Sequence, residues 1–174
     1  TLMGDPESSG SLLARLADFD SALIEASSLP ESDARLSAVV SAAASVADHL
    51  NTLSDDIAQI RMQADDSIEK QVDVLNASLK QVDELNAEIL AERSAGHDAT
   101  ALMDQRQSLV DKISEIVPVR QVDRDLDQIA LYTTGGAILL EGNPVEIGFS
   151  PVGVITADMK QAYGALSGLK LNGK

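Results

Sequence analysis

The stretch QVDVLNASLKQVDELNAEIL, residues 71–90, says nearly the same thing twice. Gln71-Val72-Asp73 returns as Gln81-Val82-Asp83, and Leu75-Asn76 returns as Leu85-Asn86. Ten residues make about 2.8 turns of α-helix, so successive copies point roughly 80° apart and cannot share one face. The apolar positions, by contrast, run through both copies without a break. Val46, Leu50, Leu53, Ile57, Ile60, Ala64, Ile68, Val72, Leu75, Leu79, Val82 and Ile89 recur at spacings of three and four, with Asn86 standing where the pattern wants an apolar residue. The reading is therefore one long helix, not a ten-residue structural unit. Between Ile60 and Val72 the spacing is four, four, four, which relaxes a left-handed supercoil.

No proline occurs between Pro30 and Pro118. Ser32 is a candidate N-cap and Asp33 suits the first turn. A helix from Ser32 to Arg93 would be about 90 Å long at about 1.5 Å per residue. A helix of that length needs other helices beside it.

Outward from this helix the punctuation is clear. Upstream, Leu12, Leu16, Phe19 and Leu23 mark a helical face from about Ser9 to Ser27, stopped by Leu29-Pro30. Pro6 with Ser8-Ser9-Gly10 reads as a loop leading into it. Downstream, Gly96 offers a left-handed C-terminal cap, and Asp98 is expected to cap a further helix. That helix has Leu102, Leu109, Ile113 and Ile116 on its apolar face and closes at Pro118. The short connection predicts an antiparallel pair with the end of the long helix.

After Pro118 the texture turns β-like. Val119–Val122, Gln128–Tyr132, Ala137–Leu140, Val145–Phe149 and Val152–Thr156 are expected strands, with turns at Gly135-Gly136 and Gly142-Asn143-Pro144. The expected organisation is mainly α with a small β-rich part. Residues 1–117 form a long-helix domain, and 118–174 form a β-rich domain that reads as incomplete.

Charge divides the chain at the same place. The net charge is −15. Residues 1–117 hold 22 acids and 8 bases, and residues 118–174 hold 6 and 5. This disfavours nucleic acid and an anionic membrane, since no basic patch is available to release counterions. No run of about 18 apolar residues exists to span a membrane. The opening TLMGDPESSG lacks a signal-peptide pattern and reads as the start of an internal fragment. With no cysteine there is no disulfide, thiolate metal site or thiol nucleophile.

Candidate chemistry is sparse. His49 and His97 read as a helix-surface and a loop histidine. Asp123, Asp125 and Asp127 alternate like a calcium loop, but its sixth and twelfth positions hold Gln128 and Thr134, so a solvated turn is expected. Asn76-Ala77-Ser78 matches a glycosylation sequon by chance inside a helix. Arg106 lies on the apolar side of its helix. It is expected to reach a carboxylate, either near Asp104 or on the long helix, and to fix the register of the helix pair.

These elements in this order resemble a known family. Leu102-Met103-Asp104-Gln105-Arg106-Gln107-Ser108-Leu109-Val110-Asp111-Lys112-Ile113-Ser114 is similar to the LLDQRDxLLxxLSxxV pattern of flagellar hook-associated protein 1, the FlgK family of the hook–filament junction. The Leu75-Asn76 and Leu85-Asn86 pairs, the Leu12–Pro30 helix and the Gly135–Gly142 stretch fit the same order over about residues 10–150. The resemblance implies a flagellin-like helical rod followed by a partial β domain. It implies a structural adaptor with no catalytic residue, cofactor or metal ligand to carry over. Such proteins leave the cell through the flagellar secretion apparatus, helped by a secretion chaperone acting on the full-length chain. They then self-associate as a ring between the hook protein and the second junction protein. A generic coiled-coil interaction module of a scaffold or sensor, flagellin, and the second junction protein are the alternatives.

Overall fold

The structure is a computed structural model and describes residues 8–173. The loop expected at Pro6 lies outside them. Three helices come first: α1 (Leu12–Ser28), α2 (Asp33–Ser94) and α3 (Thr100–Ile116). Ser11 caps α1, its hydroxyl accepting from Ala14 N at 3.2 Å, and the helix ends two residues before Pro30. The carbonyl of Ser32 accepts the first helical bond of α2 from Leu36 N at 3.0 Å. The other end is a Schellman closure: His97 N reaches Glu92 O at 2.9 Å and Gly96 N reaches Arg93 O at 3.1 Å, with Gly96 at φ +78°. The 62 residues of α2 are unbroken, as the apolar spacing required.

One cap differs from expectation. The position flanking α3 is held by Ala99, and Asp98 sits one residue further out. Its carboxylate still accepts from Thr100 N at 3.1 Å and from the Thr100 hydroxyl at 2.6 Å. These bonds hold the Asp98 carboxyl below its ordinary range.

The chain then forms β1 (Val119–Asp123), β2 (Ile129–Thr133), β3 (Ile138–Glu141), β4 (Asn143–Pro144), β5 (Ile147–Gly148) and β6 (Lys170–Leu171). β1 to β4 make an antiparallel sheet in sequence order, and β5 pairs with β6. Two expected strands are corrected. Val145–Phe149 contracts to the two residues of β5, and Val152–Thr156 is not a strand. The reason lies in its partners: the N–H of Val152 and the carbonyl of Thr156 go to side chains of α2 and not to a neighbouring strand.

The chain resolves into two compact units. One holds α1 and α2 as far as Gln63, with Val154–Asp158. The other holds Ala64–Gly153 and the residues from Met159 onward. The main core belongs to the second. It joins Val72, Leu75, Leu79, Val82 and Leu85 of α2 with Leu109, Val110 and Ile113 of α3, and with Ile129, Leu131, Leu139, Leu140 and Ile147 from the strands. Gln81, Glu84 and Glu88 of α2 line one groove with Gln105, Ser108 and Lys112 of α3.

Candidate functional site

The long helix carries two kinds of surface, and both bear on function. The first is a series of polar side chains that hold the returning chain, mostly by its backbone. In the second unit, Asn76 accepts from Ile147 N at 3.0 Å and donates to Ile147 O at 2.8 Å. One turn of the repeat later, Asn86 accepts from Ile129 N at 3.2 Å and donates to Ile129 O at 2.9 Å. A primary amide has one acceptor and two donors on one plane, so each asparagine imitates a neighbouring strand. Asp65 accepts from Val152 N at 2.5 Å. Arg93 Nε donates to Asp127 Oδ2 at 2.5 Å. In the first unit, Arg61 donates to Thr156 O at 2.8 Å.

Within the second unit the order of these contacts is antiparallel: 65, 76, 86 and 93 on the helix meet 152, 147, 129 and 127. The ten-residue repeat thus has a structural meaning beyond reuse of convenient residues. Its copies do not share a face, yet each places an apolar pair in the core and an amide on a strand. Sequence reasoning missed Asn76 and Asn86 as anchors. The recurrence of Leu-Asn at both positions was the signal. The sequon at Asn76-Ala77-Ser78 lies within α2, and both functions of the Asn76 amide are engaged with Ile147.

Arg106 lies at this junction and is 5% exposed. Its expected carboxylate partner is corrected. One guanidinium nitrogen donates to Asn86 Oδ1 at 2.9 Å and to the Asp127 carbonyl at 2.6 Å. The nearby Asp127 carboxylate is engaged by Arg93. Burial pushes the Arg106 pKa down, against the opposing pull of Asp127 and Asp123. The expected solvated turn between β1 and β2 is exposed at residues 123–126: Asp125–Asp127 forms a single 3₁₀ turn, and Leu126 and Asp127 take left-handed backbone there. His97 stands at the exposed end of α2, its Nδ1 2.8 Å from Glu92 Oε2.

The second surface is apolar and uncovered. Leu79, Val82 and Ile89 are fully buried, whereas Leu50 is 49% exposed, Ile57 and Ile60 are each 47%, and Ile68 is 40%. The apolar stripe is therefore sealed in one stretch and open in another. On α1, Leu16 and Leu23 are also exposed, while Ala26 is buried and Phe19 half-buried. A helix with a single helical neighbour can cover only part of an apolar face. No group of three or more metal-ligating side chains occurs among the described residues. None of the described helices is long and apolar enough to cross a membrane.

Residues 1–162 match the family described as the flagellar hook-associated protein FlgK helical domain. Among solved structures, the flagellar hook junction protein FlgK from Burkholderia pseudomallei is similar, with a TM-score of 0.75 at 20% identity. The likeness covers 84% of this chain and 25% of that one, so this chain spans about a quarter of that length. At that identity the likeness establishes the fold. No curated protein sequence matches.

Proposed function

The chain belongs to the FlgK helical-domain family, and from that membership we propose that it is the helical section of a structural subunit at the flagellar hook–filament junction. It works by lateral packing of helices and not by catalysis. Its partners are further copies of itself in a ring, the hook protein and the second junction protein. A secretion chaperone serves the full-length chain before export, and the working location is outside the cell. Residues 1–117 supply the helical rod section and 118–174 the β-rich section.

The observation that carries this reading is the uncovered half of the α2 stripe. Four large aliphatic side chains between Leu50 and Ile68 stand 40–49% exposed on a helix whose equivalent positions downstream are sealed. Contiguous exposed apolar surface marks an interaction face. The acidic balance of the first 117 residues keeps such a face soluble before it meets its neighbours.

Deleting the parent gene tests the reading. Hooks should form and filaments should fail to attach. Complementation with Ile57→Asp and Ile60→Asp together should leave secretion intact and still fail to attach filaments. Filaments that attach normally in the deletion strain would refute the junction role. Normal attachment with the double variant would refute the assigned face.

A further inference from the structure

The first unit includes one stretch far in sequence from its helices, Val154–Asp158. It belongs to no helix or strand. Ile155 is its buried anchor at 4% exposure, whereas Val154 is 68% exposed. Thr156, Ala157 and Asp158 are exposed as well. Arg61 of α2 donates to the Thr156 carbonyl at 2.8 Å, at an exposed position. The Thr156 hydroxyl donates to Asp158 Oδ1 at 2.6 Å, a bond internal to the stretch. Ala157 lines an apolar hollow of about 330 Å³ with Leu12 of α1 and Leu50, Leu53 and Ile57 of α2.

This stretch accounts for an irregularity in the open stripe. Leu53 is 7% exposed, yet Leu50 and Ile57, about one turn away on either side, stand at 49% and 47%. The hollow that holds Leu53 is closed from one side by Leu12 and from another by Ala157. The side chain of Ala157 is a single methyl group, so the hollow beside it stays open. A segment with one buried anchor and an exposed backbone bond opens at a fraction of the global unfolding free energy. Resting on the reading of the open α2 stripe as the packing face, we propose that Val154–Asp158 is an autoinhibitory strap, which covers the middle of that face in the free subunit and gives way to a second copy of this chain. Lifting the strap joins Leu53 to Leu50, Ile57 and Ile60 as one apolar run. With the strap down the run is interrupted. The affinity between copies is then reduced by the fraction of time the strap is lifted, since only that state presents the whole face. Subunits stay apart when dilute and pack when assembly holds them close.

The test is analytical ultracentrifugation of this chain with Val154–Asp158 replaced by a glycine–serine linker of equal length. Its self-association constant should rise several-fold over the parent, and adding Ile57→Asp should return it to the parent level. Ala157→Leu, which fills the hollow and tightens the strap, should slow amide exchange at residues 155–158 and leave the chain no more associated than the parent. Should the linker variant lose the exchange protection of Val72–Ile89, Ile155→Ala makes the same test by loosening the anchor alone, with a rise again expected. Association equal to the parent in the variant that keeps its core, or a rise that survives Ile57→Asp, would overturn the strap. If the strap fails in this way while Ile57→Asp with Ile60→Asp still blocks filament attachment, the packing face stands without it. Normal attachment with that double variant removes the face and the strap together.

Discussion

The two halves of α2 share one pattern and meet different fates. From Val72 to Ile89 the apolar positions are sealed, with Leu79, Val82 and Ile89 at zero exposure. From Leu50 to Ile68 the same spacing leaves most of them at 40–49%. Leu53 is the exception, 7% exposed in an apolar groove with Leu12 and Ala157. The difference is what the chain brings back. α3 and the strands return to the second half, while among the described residues α1 and Val154–Asp158 return to the first. Periodicity identifies the apolar side of a helix. It is silent on whether the same chain covers that side.

The largest effect expected from this contrast is at Leu79. Leu79→Ala should cost about 2–5 kcal/mol in urea unfolding, the range for an emptied core leucine, while Ile60→Ala should stay within about 0.5 kcal/mol, as surface changes do. Equal losses at the two sites would break the comparison.

The asparagine anchors sharpen it further. Asn86→Leu should cost about 2–3 kcal/mol, because it strands the N–H and carbonyl of Ile129 and a bond from Arg106 in a buried site. Asn76 is less buried, so Asn76→Leu should cost about 1–2 kcal/mol, with disorder spreading from Ile147 and not from Ile129 in exchange maps. Arg106→Leu should lower the melting midpoint by an amount equivalent to about 1–3 kcal/mol, through the bonds lost to Asn86 and Asp127. A melt matching the parent would show that Arg106 does not fix the pairing of α2 with α3 and β2.

Smaller effects belong to the helix ends. Gly96→Ala should cost about 1 kcal/mol, since a side chain is strained at its left-handed φ. Asp98 is fully exposed and its carboxyl is held below the ordinary aspartate range, chiefly by the Thr100 hydroxyl. The stabilisation it gives the start of α3 is present above the ordinary value and fades as pH falls through the lowered one. Chemical shifts of Thr100 followed through acid titration check this.

The helices were legible because prolines and glycines mark their limits. Pro30, Gly96 and Pro118 each end an element, and the observed bounds of α2 lie within a residue of those read from the sequence. The hairpins of the sheet were legible from Gly136 and Gly142, both at positive φ. What sequence could not supply was side chain to backbone pairing across a large separation. Asn76 and Ile147 are 71 positions apart, and no local rule links them. For the same reason Val152–Thr156 read as a strand although Asp65 and Arg61 hold it. The exposure of Leu16, Leu23 and Ile57 was hidden as well, because it depends on what else returns to them.

The chain has no cysteine, so single thiols can be placed cleanly, and labelling at Ile60→Cys and Leu79→Cys is the most direct measurement. The expected result is that the thiol at 60 reacts readily in free subunits and becomes shielded in assembled flagella, while the thiol at 79 is shielded in both. Equal reactivity at 60 in the free and assembled protein would contradict the assignment of this face to subunit packing.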